Sequence, residues 1–317
     1  MRVRALAPLL IAALSGCGSR VQATAAPVIE LGSRALCTAY AGLPAGWGQD
    51  AHAGMVRVAG GHAEMGSARG YADELPVTQA ELPAFWIDRT EVTNAQFAAF
   101  VAATGYVTSA EKGGGAAVFQ QPPVDKPVAE GSWWHLVDGA TWRHPQGPAS
   151  ATPAPNDPVV DVSYADALAY AKWLGRALPS ERQWEYAAKA GRDNAASDQA
   201  LRDADGRPRA NFWQGVFPLK NTDEDGFAGV APVGCFAANP YGLHDSVGNV
   251  WEWTTDAYTG DHAGDLTRTA GAPRRVIKGG SYLCSADYCV RARASSRQPQ
   301  EEDLPAAHVG FRTIAPA

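Results

Sequence analysis

Glycine and proline interrupt this chain so often that long helices and strands have little room to form. The 317 residues include 33 glycines and 22 prolines, two residue types that favour turns. Ten tryptophans supply large apolar surfaces that can hold loops against a core. We therefore expect an α+β fold that is irregular and loop-rich, with little regular secondary structure.

Local patterns still predict a few regular elements. Residues 55–61 alternate before a Gly-Gly turn, and residues 84–88 form a second strand candidate. Helices are predicted to begin after Thr93, Ser163 and Ser180. Thr93 and Ser180 are each followed three residues later by a glutamine, which is the spacing of a capping box.

The first 17 residues have the pattern of an export signal. Arg2 and Arg4 precede an apolar run at residues 5–14, which is too short for a membrane span of about 20 residues. Cys17 at the cleavage point resembles the lipobox of bacterial lipoproteins, in which it would become the lipidated first residue. The alternative is an ordinary secretory signal with a chance cysteine. We predict an exported bacterial lipoprotein on the periplasmic face of the envelope, and Gly18 favours the outer membrane over the inner.

The remainder is predicted to form one domain on a tether. Residues 18–50 are small and polar, as is typical of a tether, and residues 51–317 form the domain. The proline-rich run at 145–158 is interpreted as a surface excursion within it. The formal net charge of −6 argues against nucleic acid as a partner, since that would call for a basic stripe. We expect a monomer that contacts the membrane through its lipid anchor.

Cys284 and Cys289 are the residues best suited to redox or metal chemistry. They lie five residues apart behind Gly279-Gly280-Ser281, in a chain with five cysteines. Two soft thiolates suit Cu(I), whereas in an oxidising compartment the same pair can form a structural disulfide. Cys37 and Cys235 can also bond to one another, and the sequence leaves that pairing open.

A set of motifs follows a fixed order along residues 52–315. They are Gly60-Gly61 with Met65-Gly66, Asp88-Arg89-Thr90-Glu91-Val92-Thr93-Asn94, Pro158-Val159-Val160-Asp161-Val162-Ser163, Leu178-Pro179-Ser180-Glu181 with Trp184-Glu185-Tyr186, Gly248-Asn249-Val250-Trp251-Glu252-Trp253 and Gly310-Phe311-Arg312. This order resembles the formylglycine-generating enzyme family, also called sulfatase-modifying factors. The resemblance implies that family's fold, a distant variant of the C-type lectin architecture, in a lipoprotein member.

The resemblance also implies an activity. In that family a cysteine of a partner sulfatase, in a Cys-x-Pro-x-Arg type motif, is oxidised to Cα-formylglycine with O2 and a reductant. Two cysteines hold Cu(I) and the substrate thiolate becomes a third ligand. A serine and a tyrosine line the oxygen site, and a tryptophan and an arginine shape the pocket. The matching residues of this chain, in that order, are Cys284, Cys289, Ser281, Tyr288, Trp251 and Arg297.

Two structural calcium sites are implied in the same way, each a mixture of the hard oxygen ligands that Ca²⁺ accepts. The first set is Asn211, the Phe212 carbonyl, Asp225 and the Phe227 carbonyl. The second set is Asp245, the Gly248 and Val250 carbonyls, and Glu252. The alternative for each set is an acidic turn that hydrogen-bonds its own backbone.

Other functions remain open alongside the oxidase. A non-catalytic module could keep the scaffold, use Cys284–Cys289 as a disulfide and bind a peptide or an envelope partner. An oxidase acting on a different thiol substrate is the third hypothesis. Residues 300–304, Gln-Glu-Glu-Asp-Leu, replace an Asn-Thr-Pro-Asp-Ser-like stretch common in the family's oxidases, and the three acids favour a basic peptide. His308 can face the pocket in a hydrogen-bonding role.

Overall fold

The computed structural model describes residues 30–193, 201–259, 271–289 and 291–317. Its helices are short, and within these ranges none is long and apolar enough to cross a bilayer. They span Arg34–Ala39 (α1), Asn94–Thr104 (α2), Ser109–Gly113 (α3), Tyr164–Trp173 (α4) and Glu181–Lys189 (α5), with a 3-10 turn at Ala72–Glu74. The predicted signal segment and Cys17 lie outside the described residues.

The strands are equally short and pair in several small sheets. They span Met55–Val58 (β1), Gly61–Met65 (β2), Thr78–Leu82 (β3), Phe85–Asp88 (β4), Gly115–Phe119 (β5), Trp134–Asp138 (β6), Gly215–Val216 (β7), Lys220–Asn221 (β8), Trp251–Ala257 (β9), Arg274–Lys278 (β10), Arg297–Glu301 (β11), Val309–Gly310 (β12) and Ile314–Pro316 (β13). One sheet has the order β11-β10-β9-β12, and a second has the order β1-β4-β13. The irregular, loop-rich α+β class is therefore confirmed.

Side-chain caps explain where the main helices begin. The Thr93 hydroxyl accepts a hydrogen bond from the Gln96 amide at 3.2 Å, and the Gln96 side chain accepts one from the Thr93 amide at 2.9 Å. Ser180 and Gln183 repeat this arrangement at the start of α5. Ser163 caps α4. All three helix starts predicted from the sequence are thus confirmed, because capping satisfies amides that have no partner within the helix.

An aromatic core joins α2, α4 and the C-terminal segment. The Phe97 ring is fully buried and stacks on Tyr170 with ring centroids 5.9 Å apart. Trp142 meets Phe97 edge-on at 5.2 Å, and Phe311 meets Tyr170 at 5.3 Å. Each such side chain contributes roughly 1.5–3 kcal/mol through burial. Trp173, at the end of α4, remains 37% exposed.

The domain begins earlier in the chain than predicted. Cys37 is fully buried and forms a disulfide with Cys235 across 198 residues of sequence. The Asn156 side chain donates a hydrogen bond of 2.7 Å to the Cys37 carbonyl, and the Thr93 hydroxyl donates one of 2.6 Å to the Gly42 carbonyl. The assignment of residues 30–50 to a tether is therefore wrong, because covalent and hydrogen bonds hold this segment on the domain.

The final Gly-Phe-Arg sequence fixes the C-terminal end against β9. A Cβ atom at Gly310 would lie 2.7 Å from the Val159 carbonyl oxygen, so glycine is required there. The buried Arg312 guanidinium pairs with Glu252, with 2.6 Å between Nε and Oε2. Removal of either partner would leave an uncompensated buried charge. Trp251 lies directly before Glu252, so this ion pair also holds the strand that carries Trp251.

Candidate active site

A cavity of about 460 Å³ lies between β9, β11 and the loop that follows β10. Aromatic rings and the two free thiols form much of its wall. The wall includes Cys284, Cys289, Ser281, Trp251, Tyr288 and His308. The structure therefore brings together five of the six site residues predicted from the sequence.

A glycine turn places the first thiol. Gly280 has a φ of +81°, and a Cβ there would lie 2.6 Å from the Ala292 Cα, so no side chain fits. The Cys284 amide donates to the Ser281 carbonyl at 2.9 Å, and the Ser281 amide donates to the Cys284 sulfur at 3.4 Å. The Trp213 amide donates to the Cys284 carbonyl. The cysteine is thus held by its backbone on both sides.

A closed loop returns the second thiol to the first. The main chains of Ser285 and Cys289 exchange two hydrogen bonds of 3.2 Å. As a result the Cys284 and Cys289 sulfurs lie 3.7 Å apart, and both thiols are free. Cys284 is 2% exposed, whereas Cys289 is partly accessible.

The two thiols differ in acidity. The hydrogen bond between them raises the pKa of Cys284, and burial raises it further. The same hydrogen bond lowers the pKa of Cys289, and the nearby Arg291 guanidinium adds to this effect. Cys289 is therefore the more acidic of the two thiols and the one that more readily becomes the thiolate, which is the reactive form of cysteine.

Tyr288 lies at the mouth of the cavity. Its ring stacks on Phe217 with centroids 4.7 Å apart and meets Trp133 edge-on at 5.4 Å. Its hydroxyl lies 3.4 Å from a Glu130 carboxylate oxygen. Burial raises the pKa of Tyr288 to about 12, and Glu130 contributes to the increase. The phenol therefore stays protonated at neutral pH and can donate a hydrogen bond.

Comparison with known proteins identifies the family of this chain. The chain matches the family described as the sulfatase-modifying factor enzyme 1-like domain over residues 41–317. The chain belongs to this family. It is 46% identical over 290 residues to the formylglycine-generating enzyme of Thermomonospora curvata, covering 84% of this chain and 95% of that protein.

Two further comparisons bear on the function and the fold of this family member. It is 37% identical over 276 residues to the inactive C-alpha-formylglycine-generating enzyme 2 of Bos taurus, covering 83% of this chain and 88% of that protein. The solved structure of PvdO from Pseudomonas aeruginosa superposes with a TM-score of 0.55 at 23% identity, covering 83% of this chain and 94% of that one. The second match supports the fold, and the first shows that proteins named inactive occur among the relatives.

In this family member Arg297 does not lie where its sequence position predicted. Its guanidinium pairs with Glu181 at 2.9 Å and donates to the Asp73 carbonyl at 3.2 Å. These contacts direct it into a smaller cavity of about 190 Å³, away from the thiols. The expectation that Arg297 shapes the main cavity is therefore wrong.

Arg291 occupies the wall instead. It is 3% exposed, and its guanidinium lies 3.6 Å from the centre of the Tyr71 ring. It also pairs with Asp73 at 3.3 Å. Arg291 was not predicted from the sequence, although a basic residue two positions after Cys289 was a usable signal. Tyr71 and Asp73 gave no such signal, because they lie more than 200 residues away in the chain.

The first calcium set has oxygens that suit a cation. The Gln214 side-chain amide bonds to both the Phe212 carbonyl and an Asp225 carboxylate oxygen, so these two oxygens lie close together. The Asn211 side-chain oxygen is buried and has no partner among the described residues. The Phe227 amide donates to Asp225 at 2.9 Å. The unpaired Asn211 oxygen, the Phe212 carbonyl and the Asp225 carboxylate are oxygen donors of the kind that Ca²⁺ accepts at six to eight positions.

The second calcium set fits less well. Glu252 accepts hydrogen bonds from Arg312 on both carboxylate oxygens and from the Trp184 indole at 2.7 Å. Asp245 accepts a bond from the Gly234 amide. A cation on this set would compete with Arg312 for Glu252. The expected Asp245, Gly248, Val250 and Glu252 ligand set therefore has no support from this geometry.

The three acidic residues of segment 300–304 present less negative charge to the cavity than the sequence indicates. Of residues 300–304, Glu301 is buried in the cavity wall, while Glu302 pairs with Arg275 at 2.7 Å. Asp303 is exposed. Glu302 is thus paired with a neighbouring cation, and Glu130, which was not predicted from the sequence, also lines the cavity.

Proposed function

We propose that this protein oxidises a cysteine of a partner sulfatase to Cα-formylglycine and so activates that sulfatase. The observation that carries the proposal is the pair of free thiols 3.7 Å apart in the cavity wall of a sulfatase-modifying factor family member. The relative from Thermomonospora curvata, named a formylglycine-generating enzyme, supports the same activity. A Cys-x-Pro-x-Arg type segment is the expected target.

The thiol pair suits Cu(I). Soft thiolates are its preferred ligands, and the cavity beside Cys284 and Cys289 leaves room for the sulfur of a substrate cysteine. A bound copper ion would supply the one-electron chemistry that O2 needs to react with a C–H bond. The overall reaction consumes the cysteine side chain, O2, two electrons from a thiol reductant and two protons, and yields the aldehyde, hydrogen sulfide and water.

The residues of the chain contribute in distinct ways. Cys289 is the more acidic thiol, and Cys284 the less acidic one, so the proton of Cys284 is the harder to remove before both sulfurs can bind a metal. Tyr288 and Ser281 present hydroxyl groups at the cavity. Trp251, which is 1% exposed over the whole residue, forms part of an apolar wall that limits access of water. Exclusion of water strengthens each polar contact to the substrate.

The first experiment is turnover of a peptide that contains Cys-x-Pro-x-Arg, followed by mass spectrometry, with the reduced, copper-loaded protein in air. We expect the mass change of a cysteine side chain becoming an aldehyde. Cys284→Ser and Cys289→Ser should each abolish it. The double variant Cys37→Ser/Cys235→Ser is the matched control, because it removes the other cysteine pair and should keep the activity.

Two other outcomes are informative. Tight copper binding by the wild-type protein without peptide oxidation would indicate a different thiol substrate. No copper binding after full reduction would favour a non-catalytic module that binds a peptide or an envelope partner.

We also propose that the protein works outside the cytoplasm as a lipoprotein anchored through Cys17. The Cys37–Cys235 disulfide supports this, because such bonds persist in oxidising compartments. The sulfatase would then be met after export. Cys17→Ser should move the protein from the membrane fraction to the soluble fraction of the envelope, and an unchanged membrane fraction would contradict the anchor.

Calcium at the first set, Asn211, Phe212, Asp225 and Phe227, is proposed as a structural brace. Bound ligand stabilises the folded state by mass action. Calcium should therefore raise the unfolding temperature of the wild-type protein and leave that of Asp225→Ala unchanged. An equal response in both proteins would rule out this site.

A further inference from the structure

The mouth of the cavity carries an exposed acid, Glu130. Four residues with charged side chains line the cavity, namely Glu130, Arg274, Arg291 and Glu301. Glu301 and Arg291 are buried and Arg274 is half-buried, whereas Glu130 is exposed. Among the described residues, no arginine, lysine or histidine side chain pairs with Glu130. Its charge is therefore available to a ligand that enters the cavity.

Tyr288 holds the carboxylate at this position. Oε1 of Glu130 lies 3.4 Å from the Tyr288 hydroxyl, and both residues line the cavity. Oε2 makes no hydrogen bond to a described residue. One face of the Tyr288 ring stacks on Phe217, yet Tyr288 remains 44% exposed. An open carboxylate oxygen and an accessible aromatic ring thus lie next to each other.

This combination suits a guanidinium group better than an ammonium group. A guanidinium can donate to a carboxylate and lie on an aromatic ring at the same time, whereas lysine offers a compact, strongly hydrated charge. The chain itself contains such an arrangement, in which Arg291 pairs with Asp73 at 3.3 Å and lies 3.6 Å from the centre of the Tyr71 ring. We therefore expect the mouth to prefer arginine to lysine.

A peptide can reach from the thiols to Glu130. Tyr288 directly precedes Cys289 in the chain, so one tyrosine side chain and the 3.4 Å contact separate Glu130 from the backbone at Cys289. Four residues of extended chain span at most about 13–14 Å. An arginine four positions after a target cysteine can therefore reach Glu130 while that cysteine lies beside the thiols.

We propose that Glu130, together with the ring of Tyr288, binds an arginine side chain of the substrate segment and so selects which cysteines are oxidised. This inference rests on the proposed function, since it assumes a polypeptide substrate. It adds a specificity-determining residue on the loop between β5 and β6, which no sequence motif indicated. It assigns Glu130 no role in the oxidation itself.

The test is a double-mutant cycle that measures binding without chemistry. Two fluorescent peptides carry serine in place of the target cysteine, followed four residues later by arginine in one and by glutamine in the other. Each is titrated into the reduced full-length protein, either wild type or Glu130→Gln. We expect the wild type to bind the arginine peptide about fivefold more tightly, which is near the upper limit for an ion pair open to water. Glu130→Gln should bind the two peptides equally.

Asp125→Asn is the matched control. Asp125 is also an exposed acid between β5 and β6, but it does not line the cavity. This variant loses the same charge as Glu130→Gln and should keep the fivefold preference. A third peptide, with lysine in place of arginine, should bind the wild type more weakly than the arginine peptide. Added salt should weaken binding of the arginine peptide more in the wild type than in Glu130→Gln, because salt screens exposed charges.

The outcomes separate the two proposals. Equal binding of the arginine and glutamine peptides by the wild type, or a preference for arginine that persists in Glu130→Gln, would overturn the role of Glu130 and leave the oxidase proposal intact. Loss of the preference in Asp125→Asn would show an effect of net charge and would also overturn it. A preference that depends on Glu130, in a protein that oxidises no cysteine peptide, would support the binding site and overturn the oxidase. Failure of the wild type to bind either peptide would overturn the target segment and this inference with it.

Discussion

At the residue scale, Asp161 is a carboxyl group buried deep in the fold. It is fully buried, neither carboxylate oxygen has a hydrogen-bond partner among the described residues, and its φ is +56°. Burial raises its pKa well above the ordinary value. A group whose pKa is higher in the folded state favours folding at low pH, and this contribution is lost as the pH rises through the folded pKa.

Asp161→Asn should therefore stabilise the protein at high pH. Asparagine keeps the shape, tolerates the left-handed backbone and cannot ionise. We expect the free energy of unfolding to increase by about 1–3 kcal/mol at pH 8, the cost of an unsatisfied buried group, and the gain to shrink toward pH 4. Urea unfolding at several pH values measures this. Asp125→Asn, at an exposed position, is the control, and a pH-independent gain at position 161 would contradict the argument.

Single residues also show what sequence can and cannot predict about the site. Cys284, Cys289 and Ser281 were predicted correctly as neighbours, because one tight turn and one closed loop bring them together. Arg297 was placed in the wrong cavity, because Glu181, far away in sequence, determines where its guanidinium points. Long-range ion pairs of this kind leave no local pattern.

At the element scale, too, local patterns predict what depends on neighbouring residues and fail where distant residues decide the structure. The starts of α2, α4 and α5 were predictable because each cap and its helix lie within four residues. The strand β11 was not predicted, because Gln and Glu dominate it and its pairing with β10 is set by residues 19 or more positions earlier. β13 likewise depends on distant β4, with Ile314 opposite Ile87.

The cap of α5 provides a test at this scale. Ser180→Ala removes the acceptor for the Gln183 amide, which lies 3.2 Å from the serine oxygen. We expect the free energy of unfolding to fall by about 1 kcal/mol, as for other helix caps. Ser180→Asp should restore most of it. Turnover should be unchanged in both variants because α5 does not line the main cavity, and a loss of activity without loss of stability would contradict this view of α5.

At the scale of the whole molecule, the cavity depends on segments from across the chain. Tyr71, Glu130, Trp251, Cys284 and His308 meet in one wall although they span most of the domain. The order of the sequence motifs resembles that of the family, and it therefore predicted that these distant segments would together form the family's site. It could not predict that an N-terminal segment before residue 50 is part of the same body, because small polar residues give no signal of packing.

The Cys37–Cys235 disulfide tests how strongly that N-terminal segment matters to the whole fold. The bond closes a loop of 198 residues and so restricts the unfolded chain. Cys37→Ser/Cys235→Ser should lower the free energy of unfolding by about 2–5 kcal/mol, measured in urea without reductant. Reductant should bring the wild-type protein to the level of the double variant and leave the variant unchanged. Because neither cysteine lines the cavity, peptide turnover below the unfolding transition should persist. A double variant as stable as wild type would mean that hydrogen bonds such as Asn156 to Cys37 hold the segment without help from the disulfide.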